Sequence, residues 1–490
     1  MEGIYRALLA SVLLAAAVPA AADAQGGAVV LSECRLESAQ APGSVAARCG
    51  TLRVPENRAE PHGRQIALHV AVVPSLRLRA RSDPLVLLAG GPGQAASDLY
   101  LTLHPAFARV RRDRDILLVD QRGTGRSMRL DCTYPQDLEI AAYDATALRR
   151  ETRRCLETLP GDPRYYTTSV AVQDLDAVRA ALGYERLNLY AVSYGTRVAQ
   201  HYMRRYPQRV RTAILDGAVP PDLALGPDIP REAQRALDTL FERCAQSAEC
   251  SARFPSLAQD FASLYARLQA APAMVRLADP LTGAGTRVQF GVAHLAAAVR
   301  MLSYSDETAA LLPLLIHEAQ VGGRLEALAA QYLMIQRSME RQMAYGMHFA
   351  VVCSEDAPRW AEGQAPDFAG STYLGAEFMD GLRAVCDEWP RGPVDEDFGT
   401  TLNSDIPTLL LSGGNDPVTP AAYAERVLQG LSNARHLVLE GQGHGQIAVG
   451  CVPRLAAQFI AAASPADLDT QCTTHVTPAP FMLSLTAPAP

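Results

Sequence analysis

The stretch L187-N-L-Y-A-V-S-Y-G-T-R-V-A199 decides the fold. Leu187 to Val192 form a short apolar run of the kind that makes a buried strand, and Thr196 onward reads as helix, with Ser193 at the switch. A strand, then A-x-S-x-G, then a helix is the context of a nucleophile elbow, where a sharp turn lifts a serine hydroxyl clear of a sheet. Ala191 and Gly195 supply the small residues needed where strand and helix cross closely.

Similar runs lie on both sides. D83-P-L-V-L-L-A-G90, R114-D-I-L-L-V-D120, R186-L-N-L-Y-A-V-S193 and R211-T-A-I-L-D-G217 are short, apolar and ended by Gly, Asp or Ser, as buried parallel strands read. Residues 65–75 alternate and predict a strand at the edge of the sheet. Residues 172–183 place Leu175, Val178, Ala181 and Leu182 on one helical face before Gly183. The alternation predicts an α/β fold with a mostly parallel central sheet. It lapses after 217, where long helical runs are expected, and resumes at I406-P-T-L-L-L-S-G-G-N-D-P417 and A434-R-H-L-V-L-E-G-Q-G-H-G445. The sequence thus predicts a core at 25–219 and 401–490, with a helical cap at 220–400 inserted between late core strands. In open α/β sheets ligands bind outside the carboxyl ends of the strands, which makes the insertion a natural lid. The C-terminal tail from Thr477 is expected to be loose apart from what Cys472 ties down.

Composition narrows the function. The chain has 490 residues, 48% of them hydrophobic and 20% charged, with a formal net charge of −7. That charge offers no basic field for a nucleic acid and suits a small or peptidic substrate. Residues 1–24 combine Arg6, an apolar run broken at Pro19, and Ala22-Asp23-Ala24, as a secretory signal peptide with its cleavage site does. The run of about a dozen residues is short of the ~20 that span a bilayer. Export, to a periplasm or beyond the cell, follows. The ten cysteines lie as near-neighbour couples, 34/49, 132/155, 244/250, 353/386 and 451/472. In an exported chain disulfides are the expected use, although spacing alone does not prove connectivity, and no zinc pattern is present.

A serine needs a base to take its proton and a carboxylate to orient that base; on this fold they follow in the order Ser, acid, His. Asp416 and His444 each end a strand in Gly-rich turns. Asp216 competes for the acid role, but the strand of Asp416 directly precedes that of His444. The backbone amides of Gly91 and Tyr194 are the expected oxyanion donors. The G-x-G-x-x-A pattern at 91–96 mimics a dinucleotide fingerprint, yet it does not follow the first strand and has Pro92 inside; no cofactor or metal is expected.

With G90-G-P-G93, D120-Q-R-G-T-G-R-S127, V192-S-Y-G-T196, G413-G-N-D-P-V-T-P420 and G441-Q-G-H-G445, the chain resembles the prolyl-aminopeptidase and tripeptidyl-aminopeptidase family of α/β-hydrolases. The resemblance covers roughly residues 50–220 and 400–460, and near Cys451 it extends to the exported tripeptidyl branch. It implies an α/β-hydrolase fold, a triad of Ser193, Asp416 and His444, and hydrolysis of peptides from a free N-terminus. Asp120 and Arg122 are read as a structural turn bracing the site. The chain departs from the pattern at Ala89 and Ala191. Recognition of an α-ammonium calls for carboxylates in the lid, and Glu355 and Asp356, beside Cys353, are the candidates. Trp360 and Trp389 are candidates for a specificity pocket or, more simply, for buried packing. The alternative activity is that of an exported carboxylesterase on the same scaffold.

Overall fold

The computed structural model describes residues 29–38, 41–132, 144–360 and 371–484; the expected signal segment, 1–24, lies outside the described residues. Seven strands precede the insertion: β1 (Ser32–Ser38), β2 (Ala41–Pro55), β3 (Gln65–Val73), β4 (Arg81–Leu88), β5 (Arg114–Val119), β6 (Leu187–Val192) and β7 (Val210–Asp216). The insertion carries a two-stranded hairpin, β8 (Ala273–Ala278) and β9 (Gly285–Phe290). The core resumes with β10 (Thr408–Gly413) and β11 (Ala434–Leu439).

Nine strands form one sheet in the order β1-β2-β3-β5-β4-β6-β7-β10-β11. The pairs from β5 to β11 are parallel and those among β1, β2, β3 and β5 antiparallel. Alternate residues of each central strand enter opposite cores. Val86, Leu117 and Leu189 pack on one face against the helices Thr168–Ala181 and Tyr194–Arg205. Leu85, Ile116 and Leu409 pack on the other, against the helix Val452–Ala462. The insertion has its own core, built around Leu240, Phe261, Leu295 and Leu328.

Three expectations change. The strand at 65–73 is interior, because β2 covers its outer side and β1 forms the edge. The insertion is not wholly helical, since β8 and β9 pair within it. The tail is tied down as far as Ser484: Met482 N–H donates to the Ala310 carbonyl at 3.1 Å and Arg243 stacks over the Phe481 ring at 4.4 Å. Burying Phe481 and Leu483 against the insertion's core supplies the reason. All ten cysteines are bonded, as the five near-neighbour couples. Among the described residues, no helix is long and apolar enough to cross a membrane.

The D120-Q-R motif forms the brace below the sheet ends. Asp120 accepts from Ser97 N and Oγ and from Arg126 N. The fully buried Arg122 grips Asp174 through Nε at 2.6 Å and a second nitrogen at 2.8 Å, and donates to the carbonyls of Pro55, Glu56 and Tyr165. Removing one partner of a buried pair strands the other charge. Arg122→Ala should therefore cost about 3–5 kcal/mol, read as a lower urea midpoint; an unchanged midpoint would show that Arg58, the second partner of Asp174, satisfies it alone.

Candidate active site

Ser193 follows β6 directly, and its backbone is left-handed, with φ 56° and ψ −127°; the helix Tyr194–Arg205 starts at the next residue. Only a tightly braced chain holds a non-glycine residue there. The Ser193 N–H donates to the Asp216 carbonyl at 2.9 Å, and the Ser193 carbonyl accepts from Thr196 N and Oγ1. A Cβ on Gly195 would lie 2.2 Å from the Leu88 carbonyl oxygen, so no side chain fits where the helix crosses β4. As the first residue of its helix, Tyr194 has an N–H with no intrahelical acceptor. Gly90, Gly91, Ser193 and Tyr194 line one cavity, and a Cβ on Gly90 would lie 3.1 Å from that of Ser193.

Asp416 and His444 follow the ends of β10 and β11, next to one another in the sheet. The His444 Nδ1 lies 2.7 Å from Asp416 Oδ2. Asp416 is fully buried and accepts from the amides of Val418 and Thr419, each at 2.8 Å, while the Thr419 hydroxyl reaches both its Oδ2 (2.9 Å) and His444 Nδ1 (3.1 Å). This ties the acid to the imidazole and leaves Nε2 for the cavity that Ser193 shares. The competitor, Asp216, does different work. It lies buried at the end of β7 and accepts from Gln446 N, Ile447 N and Tyr190 Oη, which clamps the loop just after the histidine. Burial pushes its carboxyl up to about 6 despite those donors.

Burial alone would lower the His444 pKa, but the Asp416 charge and hydrogen bond, with Asp216 behind them, raise it above the usual 6.5. From the insertion, the Tyr304 carbonyl accepts the His444 N–H at 2.6 Å and its ring stands edge-on to the imidazole at 5.4 Å. Sequence reading missed Thr419 and Tyr304. A Thr three residues after an Asp is a visible turn signal, whereas the approach of Tyr304 depends on the tertiary fold.

The expected amine site is arranged differently. Glu355 and Asp356 are both buried, on one π-helical turn, Val352–Asp356, and neither lines the cavity. Glu355 accepts from Thr168 N and Oγ1, and the Thr168 hydroxyl meets Tyr194 Oη at 2.6 Å. Desolvation pushes Glu355 up to about 7. Asp356 is taken by Arg197 at 2.9 Å and Arg359 at 3.0 Å. The two acids thus stand one layer behind the wall, because Tyr194 and Arg197 occupy the front. Neither tryptophan lines the cavity: Trp360 Nε1 donates to the Leu225 carbonyl, and Trp389 packs on Phe349.

The cavity, of about 900 Å³, is walled largely by the insertion and is mainly apolar, with Leu223, Met301, Ile335, Met339 and Phe378 on its wall. Among the described residues no cluster of three or more His, Cys, Asp or Glu is placed to hold a metal.

A family model described as the alpha/beta hydrolase fold matches residues 83–450. The chain belongs to the α/β-hydrolase family. This hydrolase is 27% identical over 436 residues to "Serine protease Hip1" of Mycobacterium tuberculosis, covering 81% of each chain. It is 31% identical over 191 residues to "Tripeptidyl aminopeptidase" of Streptomyces coelicolor, covering 36% of this chain and 35% of that one. It is 30% identical over 258 residues to "Carboxylesterase B" of Mycobacterium tuberculosis, covering 47% and 49%. It is a serine hydrolase with serine peptidases among its relatives.

In the mechanism proposed below His444 is the base; a base works when neutral, and a raised pKa keeps it protonated to higher pH. The acid limb of kcat/KM should therefore lie above pH 6.5, later than an unperturbed histidine would give. Asp216→Asn removes one of the charges that raise it and should move the limb to lower pH. A wild-type limb below 6.5, or an Asp216→Asn limb moved upward, would contradict this electrostatic account.

Proposed function

We propose that the chain is an exported serine aminopeptidase that hydrolyses peptides from a free N-terminus, in the manner of the prolyl- and tripeptidyl-aminopeptidases. The observation that carries this reading is the hydrogen-bonded Asp416–Thr419–His444 group opening on the same cavity as the strained Ser193. Similarity to a serine protease and a tripeptidyl aminopeptidase supports it.

Ser193 attacks the scissile carbonyl while His444 Nε2 takes its proton. Asp416 holds the tautomer and stabilises the imidazolium, and the amides of Gly91 and Tyr194 receive the oxyanion. His444 then gives the proton to the leaving amine, and water releases the acyl-enzyme by the same steps. The α-ammonium requires a carboxylate facing the cavity. Glu355 and Asp356 are turned to other partners, and Asp228, Glu340 and Glu377 are acids on the wall itself. The N-terminal segment and the five disulfides support export. The domain reading of a core at 25–219 and 401–490 with a cap at 220–400 belongs to the same proposal: the elements between β7 and β10 form much of the cavity wall.

A carboxylesterase is the second reading, favoured by the apolar wall and by the similarity to Carboxylesterase B. Mass spectrometry of products from a short proline-containing peptide, with free and with acetylated N-terminus, separates the two beside a p-nitrophenyl butyrate control. Cleavage of the free peptide alone is expected, and its fragments give the number of residues released. Ester turnover with both peptides intact would favour the esterase. Ser193→Ala should lower kcat by a factor on the order of 10⁴ or more and abolish fluorophosphonate labelling without changing the melting temperature; activity within a few fold of wild type would overturn the nucleophile assignment.

A further inference from the structure

Two arginines line the cavity, and they differ in one respect. Arg197 is ion-paired with Asp356. Arg300, near the end of the helix Val292–Leu302, makes no ion pair among the described residues. Its guanidinium donates to Tyr304 Oη at 3.3 Å and lies over the rings of Tyr304 (5.8 Å) and Phe378 (5.4 Å), while its buried Nε has no hydrogen-bond partner. Among the described residues no ion pair joins it to the acids on the same wall: Asp228 pairs with Arg231, and neither Glu340 nor Glu377 pairs with Arg300.

Arg300 is half-buried beside a largely apolar wall and has no ion-pair partner, and a guanidinium fork is shaped to receive a carboxylate through two parallel N–H donors. The rings of Tyr304 and Phe378 flank that fork. Its location gives the side of the substrate. Tyr304, one turn on from Arg300, stands edge-on to the His444 ring, and its carbonyl accepts the His444 backbone N–H. His444 is the group that must protonate the leaving group, so Arg300 stands on the leaving-group side of Ser193.

We propose that Arg300 is a specificity-determining residue that binds a carboxylate on the leaving-group half of the substrate. The inference rests on the Ser193–His444 reading of the site, and it selects substrates whose released portion is anionic. In a short peptide the C-terminal carboxylate meets that description, as does an acidic side chain just after the scissile bond.

The test compares kcat/KM for pairs that differ only in that charge. One pair is a tetrapeptide with a free and with an amidated C-terminus. A second is the amidated peptide with Glu or Gln following the scissile bond. The third is 4-carboxyphenyl butanoate and 4-carbamoylphenyl butanoate. Wild type should favour the anionic member of the ester pair and of at least one peptide pair by about tenfold or more, since a site built for a charged partner rejects the analogue that lacks it. Which peptide pair responds tells the terminal carboxylate from the side chain. Arg300→Gln should bring the ratio near one whatever its absolute rate, and Arg300→Lys should retain part of it. A wild-type ratio near one, a ratio that survives in Arg300→Gln, or a preference that follows a carboxylate on the acyl half would each overturn the proposal. Cleaved peptides with no charge preference would sink the inference and leave the aminopeptidase standing; uncut peptides with a charge-selective ester pair would do the reverse.

Discussion

The site depends on a backbone conformation that Ser193 would not adopt unaided. A left-handed serine between strand and helix is held by its own amide on the Asp216 carbonyl, by Thr196 on its carbonyl, and by the missing side chain at Gly195. Those restraints come from β7, from the new helix and from the crossing with β4. The strain is thus balanced by the sheet as a whole, and the turn exists only because four strands already lie in parallel register.

The same sheet brings His444 into place. β7 separates β6 from β10, and Asp216 at its end uses its backbone for the serine turn and its side chain for the loop beyond His444. One residue therefore sets the relative position of two elements that are far apart in sequence. The insertion adds a further restraint through the Tyr304 carbonyl on the His444 amide. The insertion's wall of the cavity and the His444 loop are in direct contact, so the seating of the insertion and the aim of the imidazole are not independent.

Much of this was legible in the sequence because buried parallel strands announce themselves as short apolar runs ended by Gly or Asp, and because chain order constrains which acid serves which histidine. β1 and β2 escaped notice since their alternation is interrupted by polar and small residues; β8 and β9 are short and half-exposed. Glu355 and Asp356 show the limit of local reading. Two acids at a turn invite a ligand, but their real partners, Thr168 and Arg197, lie 187 and 159 residues away, and nothing in the local pattern reveals that the cavity wall stands between. Arg300 was silent for the same reason: an arginine late in an amphipathic helix reads as a solvated end, and only the surrounding rings make it part of a cavity.

The disulfides carry a consequence for how the molecule is made. Numbered along the chain, the cysteines join first to second, third to fourth, and so on to ninth with tenth, with no bond enclosing or crossing another. A chain threaded from its N-terminus into an oxidising compartment presents each correct partner next, before any wrong one has arrived. Oxidation in simple order of appearance therefore yields the native set, and reshuffling is not required even though the core is completed only when β10 and β11 return to a sheet whose seventh strand ended at Asp216.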